Sequence, residues 1–364
     1  MAKKRSSKKK ASGKKSKSTS QKKANLEAKD QVVGDVRIVK LDIGGDTLET
    51  MREAPTTKPP AIEMPIRPTE EYSEAEKKPK RGSGLESMPS AEDDEGIDRP
   101  SQPPRLFSAA SADTRRVADR SQFPFSAVGR VDVTYRAPNG SEISGAGSGW
   151  VVGERTIYTA AHVVEPTTVF NGRTYRISRI TFRPQHPSSV RAWNGTHLYV
   201  HNQYFSEPRG NLVYDLAAFV VNPNDDAIAP VTGFISPMLL TQFPVTGTGI
   251  GYPANPPTAF GFDGETMWQS TGAINRDTFQ NYNNRRNDMT RGCSGGPWVV
   301  NLGGNSGIRA VGLNSHVRNA QTFNPMISPV FDDDYKVVIR QVKDFERSLN
   351  QGRTSGDPGY IEIF

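Results

Sequence analysis

A glycine-rich segment at residues 289–300 (MTRGCSGGPWVV) carries the residue best suited to nucleophilic chemistry, Ser294. Gly292, Gly295 and Gly296 permit backbone geometry that residues with a β-carbon adopt only at a cost. A tight turn built from such residues can aim the Ser294 hydroxyl outward. The same turn can direct the backbone N–H groups of Gly292 and Ser294 at one point, which would make an oxyanion hole.

Two further segments supply partners for a serine nucleophile. His162 ends the run TIYTAAH, where small neighbours let an imidazole face a cleft, and imidazole suits general-base chemistry near pH 7. Asp215 opens the apolar run LAAFVV, where its carboxylate can orient that imidazole. Taken singly, an ordinary histidine and a polar residue at a strand edge are the simpler interpretations. Together they stand in the order His, Asp, Ser, a known chain order of a catalytic triad, which favours acyl transfer.

The elements that must position these residues are short strands. From about residue 121, apolar runs such as AVGRVDVTY, SGWVV, LAAFVV and IRAVGL alternate with Gly, Pro and Asn turns. Strands of this length and spacing predict an all-β sandwich or barrel. One segment, residues 337–350, has apolar residues at helical spacing and predicts a C-terminal helix. We therefore expect a β domain large enough for two barrels, closed by a helix.

The N-terminal third has a different composition. Residues 1–110 contain two aromatic residues, and ten of the chain's 27 prolines lie between residues 51 and 110. A segment this poor in apolar residues is expected to be disordered, because it cannot bury enough surface to offset the entropy of ordering. Residues 31–50 alternate briefly between apolar and polar and predict an isolated strand or hairpin. The predicted domains are a disordered region over 1–110, a catalytic domain over 113–350 and a tail over 351–364.

Charge and cysteine content limit the functional classes. Residues 1–30 carry a net charge of +10, whereas the whole chain carries +7, so the basic character belongs to a tail. Such a tail either binds polyanions in a salt-dependent way or is a solubilising leader.

Cys293, the single cysteine, excludes an internal disulfide framework. No apolar run approaches the roughly 20 residues of a membrane span. No signal peptide is recognisable, which favours an intracellular protein by default and leaves secretion by another route open.

The sequence around these residues resembles the chymotrypsin-like serine peptidases. The matches are TAAH at His162, the strand-opening Asp215 and GCSGGP at Ser294. Residues 113–131, together with GYP and MWQSTG further along, resemble the bacterial and fungal glutamyl endopeptidase branch. The resemblance extends from about residue 113 to residue 349. It implies two Greek-key β-barrels of the chymotrypsin type with the triad between them, peptide or protein substrates, and no metal or cofactor. The alternative is a non-catalytic scaffold that binds polyanionic partners through its basic tail.

The sequence departs from this family pattern near the expected substrate pocket. Cys293 precedes the nucleophile where trypsin-like enzymes carry an aspartate, and Asn314 stands where glutamyl-specific enzymes carry a histidine. Asp288 lies six residues before the nucleophile, a position at which trypsin binds Arg and Lys. The pocket is predicted to include Asp288, Asn314, Ser315 and His316, with His316 on the same side of a strand as Asn314. We expect a preference for acidic or small polar side chains before the scissile bond.

Overall fold

A computed structural model describes the chain from residue 31 to residue 41 without residue 34, and from residue 113 to residue 349. Within the second range, short gaps fall at 188–189, 208–209, 223–224, 255–259, 278–281, 304–306 and 320–323. The basic tail, the segment 42–112 and residues 350–364 lie outside the described residues, so the predictions made for them stay predictions.

The first sheet forms a closed barrel. Its strands follow the spatial order β1-β2-β9-β10-β6-β5-β4-β8-β7, and a further pairing of β8 with β9 closes the ring. Every pairing in this sheet is antiparallel. The strands are β1 (Gln31–Val33), β2 (Val36–Lys40), β4 (Val128–Arg136), β5 (Glu142–Val151), β6 (Thr156–Thr159), β7 (Thr167–Phe170), β8 (Arg173–Pro184), β9 (Trp193–His201) and β10 (Ala217–Val221).

The second sheet forms a half-barrel, with the spatial order β15-β14-β11-β12-β13-β17-β16 and with β3 added on β12. Its strands are β3 (Asp113–Arg116), β11 (Val245–Gly251), β12 (Trp268–Asp277), β13 (Tyr282–Arg285), β14 (Pro297–Asn301), β15 (Ile308–Leu313), β16 (His316–Asn319) and β17 (Asn324–Pro329). Each barrel has an apolar interior because alternate strand residues point inward. Trp298 belongs to the core of the second sheet, whereas Trp150 of β5 stacks on Phe331 and donates from Nε1 to the carbonyl of Ile235; both tryptophans are fully buried.

Two helices complete the described fold, a single turn α1 (Ala229–Thr232) and the long α2 (Asp333–Leu349). The prediction of a C-terminal helix is confirmed, with a start four residues earlier than the pattern indicated. Its apolar face packs on the first barrel, where the ring centroid of Phe345 lies 4.3 Å from that of His197. The predicted all-β fold with two barrels is confirmed as well. No helix in the described part of the chain is long and apolar enough to cross a membrane.

Residues 31–41 are a correction to the prediction of disorder over 1–110. They are strands of the first barrel, and Val36, Val39 and Leu41 are buried in its core. The sequence showed the alternation but not the partner, β9, which begins more than 150 residues further along the chain. The predicted start of the folded domain at residue 113 therefore omits the two strands β1 and β2, which pair with it.

Candidate active site

The pairing of two strands in the first barrel brings His162 and Asp215 together. β6 ends at Thr159 and leads into the 3₁₀ turn that holds His162, while Asp215 lies two residues before β10. These strands pair with Ala217 opposite Thr159. The backbone N–H of His162 donates to Oδ1 of Asp215 at 2.9 Å, and Nδ1 of the ring lies 2.7 Å from Oδ2. Both residues are buried, and the carboxylate contacts His162 twice, once at the ring and once at the backbone.

Asp215 stays ionised although it is fully buried. Burial alone would raise its pKa, but the electrostatic interaction with His162 and hydrogen bonds from the His162 ring, the Ser315 hydroxyl and the His162 backbone outweigh burial. The pKa of Asp215 is therefore held well below its usual range. The hydroxyl of Ser315 donates to Oδ2 of Asp215. Ser315 was predicted as a residue of the substrate pocket, which stays a prediction, and its hydroxyl also has this structural partner in Asp215.

The loop that carries Ser294 is attached to the first barrel through β5. Ser148 donates its backbone N–H to the carbonyl of Ser294 at 2.7 Å and its hydroxyl to the carbonyl of Gly292 at 2.9 Å. The Ser148 hydroxyl also accepts from the backbone N–H of Tyr252 at 2.9 Å. Ser148 thus joins the serine loop to the barrel of His162. Sequence reasoning missed this residue, and only its place in the run GSGW, inside β5, hinted at it.

Gly295 lets the serine loop approach the strand that leads to His162. Its φ is +84°, a conformation that glycine adopts readily, and a β-carbon there would lie 2.2 Å from Oγ1 of Thr159 and 2.8 Å from the backbone nitrogen of Ala160. Gly292 also has a positive φ, +91°. The expectation that glycines allow a tight turn at Ser294 is therefore confirmed at these two positions.

Two polar side-chain atoms at this junction have no hydrogen-bond partner among the described residues, the buried Nε2 of His162 and the buried Oγ of Ser294. The backbone N–H groups of Gly295 and Gly296 in the same loop donate to protein carbonyls. Buried polar groups are normally paired, so a cluster of unpaired ones indicates a place where a ligand is bound or chemistry occurs.

The chain matches one known protein family over more than half of its length. The family model for trypsin matches residues 129–331, more than half of the sequence. The chain belongs to the trypsin family. Its members are serine proteases, hydrolases that act on peptides and proteins, and the suspected resemblance to chymotrypsin-like enzymes is confirmed. Comparison with curated proteins finds no match.

Several solved protease structures are similar to this trypsin-family chain. Protease Anisep from Arthrobacter nicotinovorans is 24% identical with a TM-score of 0.49, covering 61% of this chain and 97% of its own. A thermostable serine protease from an extremophilic microorganism is 22% identical with a TM-score of 0.47, covering 60% and 96%. A Glu endopeptidase solved in complex with MPD is 20% identical with a TM-score of 0.48, covering 64% and 96%.

Asn314 of this trypsin-family protein has an interior position that corrects its expected role as a donor to substrate. Its amide nitrogen donates to the carbonyls of Ile250 at 3.1 Å and Cys293 at 3.2 Å. Its amide oxygen accepts from Nε1 of Trp298 at 2.8 Å and from the amide of Asn287 at 3.3 Å. Both amide hydrogens are committed to the protein, so none is left for a substrate carboxylate. Asn314 instead ties the serine loop to the second barrel.

His316 also differs from its expected role as a pocket cation. β15 ends at Leu313 and β16 begins at His316, so His316 and Asn314 do not share one strand face. Burial lowers the pKa of His316 to about 3, with attraction to Asp215 opposing and repulsion from His162 adding to the shift. Its Nδ1 lies 2.9 Å from the Ser315 oxygen, whose hydrogen is donated to Asp215. The ring is therefore neutral and supplies no positive charge near pH 7.

This burial of a neutral histidine predicts acid sensitivity. In the unfolded chain His316 binds a proton near pH 6.5, whereas in the folded chain it stays neutral down to about pH 3. The free energy of unfolding should therefore fall as pH falls from 6.5 towards 3, by up to about 1.4 kcal/mol per pH unit from this group. Urea unfolding at successive pH values measures the slope. His316→Gln should make the slope shallower between pH 6.5 and 4, and an unchanged slope would contradict the assignment.

Proposed function

We propose that this protein is a serine endopeptidase in which Ser294 is the nucleophile, His162 the general base and acid, and Asp215 the residue that orients His162. The observation that carries the proposal is the short Asp215–His162 contact of 2.7 Å together with the unpaired Nε2 of His162 and the unpaired Oγ of Ser294. With Nδ1 held by a carboxylate, the neutral imidazole keeps its hydrogen on Nδ1 and presents a lone pair at Nε2.

The proposed reaction uses these groups in turn. Nε2 of His162 removes the hydroxyl proton as Oγ of Ser294 attacks the scissile carbonyl, and the carbonyl oxygen takes the negative charge. The backbone N–H groups of Gly292 and Ser294 donate to that oxygen, and each such donor is worth about 3 kcal/mol to the transition state. Nε2 then gives its proton to the leaving amine, and the C–N bond breaks. A water molecule then attacks the acyl carbon while the same nitrogen takes its proton, the ester bond to Oγ of Ser294 breaks, and Nε2 returns the proton to Oγ. The negative charge of Asp215 stabilises the imidazolium in both steps.

A phosphonylating reagent tests this assignment directly on the full chain. A fluorophosphonate should add once per molecule, with loss of fluoride, and tryptic peptide mapping should place the adduct on Ser294. The matched control is Cys293→Ser, which should keep both labelling and peptidase activity. Cys293 is fully buried and its pKa is raised well above the ordinary range by burial, so its thiol is a poor nucleophile. A labelled Ser294→Ala variant, or an inactive Cys293→Ser variant of normal stability, would refute the assignment.

We further propose that the primary pocket does not select Arg or Lys. Burial raises the pKa of Asp288, against the opposing effects of a 2.9 Å contact with Oγ1 of Thr114 and the positive charge of Arg285. Arg285 is fully buried, and its Nε and Nη1 have no partner within the described residues. An aspartate that is desolvated and lies near a buried cation makes a weak partner for a substrate cation.

A peptide library read by mass spectrometry checks this pocket. We expect cleavage mainly after residues other than Arg and Lys, and we expect Asp288→Ala to leave that preference unchanged. Cleavage mainly after Arg and Lys, lost in Asp288→Ala, would show that Asp288 binds the substrate side chain. The library also separates the peptidase from the non-catalytic scaffold, which would give no cleavage at all.

A further inference from the structure

The strand β2 occupies the edge of β9 that the barrel itself leaves largely unpaired. β8 pairs with β9 through only two residue pairs, at Trp193 and Asn194. β2 pairs with the following part of β9 over five residues, from Lys40 opposite His197 to Val36 opposite His201. Without β2, these five residues would form an exposed strand edge, which proteins normally cover.

The side chains of this segment are built into the fold on both faces. Val36, Val39 and Leu41 are each at most 3% exposed. The backbone N–H of Leu41 extends the pairing by donating to the carbonyl of Thr196 at 2.8 Å. On the outer face, the β9 residues opposite Lys40 and Ile38 contact the Phe345 ring of α2. The segment therefore contributes to the barrel core and pairs with the strand on which the C-terminal helix packs.

The same segment contacts the connection from β9 to β10, which carries Asp215. The carbonyl of Asp35 accepts from the backbone N–H of Asn202 at 2.5 Å. The guanidinium carbon of Arg37 lies 4.2 Å from the centre of the Phe205 ring, a cation–π contact. The ring of His201, the β9 residue that pairs with Val36, stacks at 4.6 Å on Tyr214, the residue before Asp215.

We propose that residues 31–41 are a built-in strand partner of the peptidase domain, one that covers the edge of β9 and positions the segment carrying Asp215. Along the chain, β2 is connected to β3 through residues 42–112. If the contacts with β9 hold β2 in place, it should stay attached after the chain is cut within that connection. The effect on catalysis rests on the function proposed above, whereas the attachment does not. Arg37 is a positioning residue here, since it acts on Asp215 through Phe205 and the connection.

Two substitutions in the full chain test the attachment. Val39→Asp places a carboxylate in the barrel interior and should lower the melting temperature by at least about 5 °C. Val32→Asp is the matched control, because Val32 lies in the neighbouring strand β1 with 52% of its surface exposed. It should shift the melting temperature by no more than about 1 °C. Equal melting temperatures for the two variants would overturn the proposal. If Val39→Asp does not fold while Val32→Asp does, the strand is essential to the barrel, which supports it.

A milder variant tests the positioning of Asp215. Arg37→Ala removes the contact with Phe205 from a partly exposed position and should lower kcat several-fold with little change in KM or melting temperature. Arg37→Lys retains a cation over the ring and should restore most of kcat. Unchanged kcat in Arg37→Ala would refute the positioning role. If the wild-type chain itself hydrolyses no peptide, the proposed function fails, while the melting comparison still decides whether the strand is attached.

Cleavage of the chain between residues 42 and 112 gives a further readout. A specific protease site inserted between Gly82 and Ser83 allows the purified chain to be cut, and a denaturing gel shows the two pieces. The pieces should co-elute in size-exclusion chromatography under native conditions, and Val39→Asp should release the N-terminal piece. Separation of the wild-type pieces would overturn the proposal.

Discussion

Ser294→Ala is expected to lower kcat by about 10⁶-fold, because the hydroxyl forms the bond to the substrate and nothing nearby can replace it. The melting temperature should hardly change. Oγ of Ser294 has no hydrogen-bond partner among the described residues, so its removal breaks no interaction of the folded protein. Steady-state hydrolysis of a peptide from the library measures kcat, and thermal unfolding measures stability.

The same variant distinguishes a catalytic unit from independent contributions. His162→Ala should cost nearly as much as Ser294→Ala, and the double variant should cost no more than either single one, since the residues of a triad act together. Residual activity should remain above the uncatalysed rate by about 10³-fold, through the oxyanion hole and substrate binding. Losses that multiply in the double variant, or a Ser294→Ala enzyme of normal activity, would contradict the proposed mechanism.

The candidate triad could be predicted from sequence because its signals are local. A serine flanked by glycines indicates a nucleophile, and a histidine after small residues indicates a general base. Each of these signals occupies only a few consecutive positions of the sequence. The strand texture likewise indicated the barrels, since alternation and turn residues are visible without the structure. Contacts between distant segments left no such signal, so the role of Ser148 in joining the serine loop to β5 was missed.

Residues 31–41 show that a segment without a strong local signal can still form strands. The segment lies between polar and proline-rich stretches of the sequence. A two-stranded hairpin alone is only marginally stable in water. What makes it a strand is the free edge of β9, and a pattern in the sequence cannot show that an edge is free. Tertiary pairing therefore decides the structure of this segment, and composition alone predicted disorder.

The pocket could not be predicted because burial and strand ends decide what a polar side chain does. Asn314 and His316 are two residues apart, which on one continuous strand would place both on the same face. The strand ends at Leu313 and a new one begins at His316, so a separation of two residues does not place these side chains on one face. Full burial then turned Asn314 into an interior hydrogen-bonding residue and His316 into a neutral one.

Asp215→Asn should show how much of catalysis depends on the orientation of His162. An asparagine has almost the shape of aspartate, but its NH₂ group can donate to Nδ1 of His162 and so hold the ring with its hydrogen on Nε2. That nitrogen could then no longer accept the proton of Ser294. We expect kcat to fall by about 10⁴-fold with little change in KM, as measured on the same peptide.

Ser315→Ala is the matched control for this effect, because it weakens the hold on Asp215 without changing the tautomer of His162. The Ser315 hydroxyl donates one hydrogen bond to Oδ2 of Asp215, whereas His162 contacts the same carboxylate through both its ring and its backbone N–H. Loss of one hydrogen bond to a charged group costs about 1.5–3 kcal/mol, so kcat should fall by roughly 10- to 100-fold, well short of the loss in Asp215→Asn. A full rate in Asp215→Asn, or equal losses in both variants, would mean that the carboxylate does not act by selecting the tautomer.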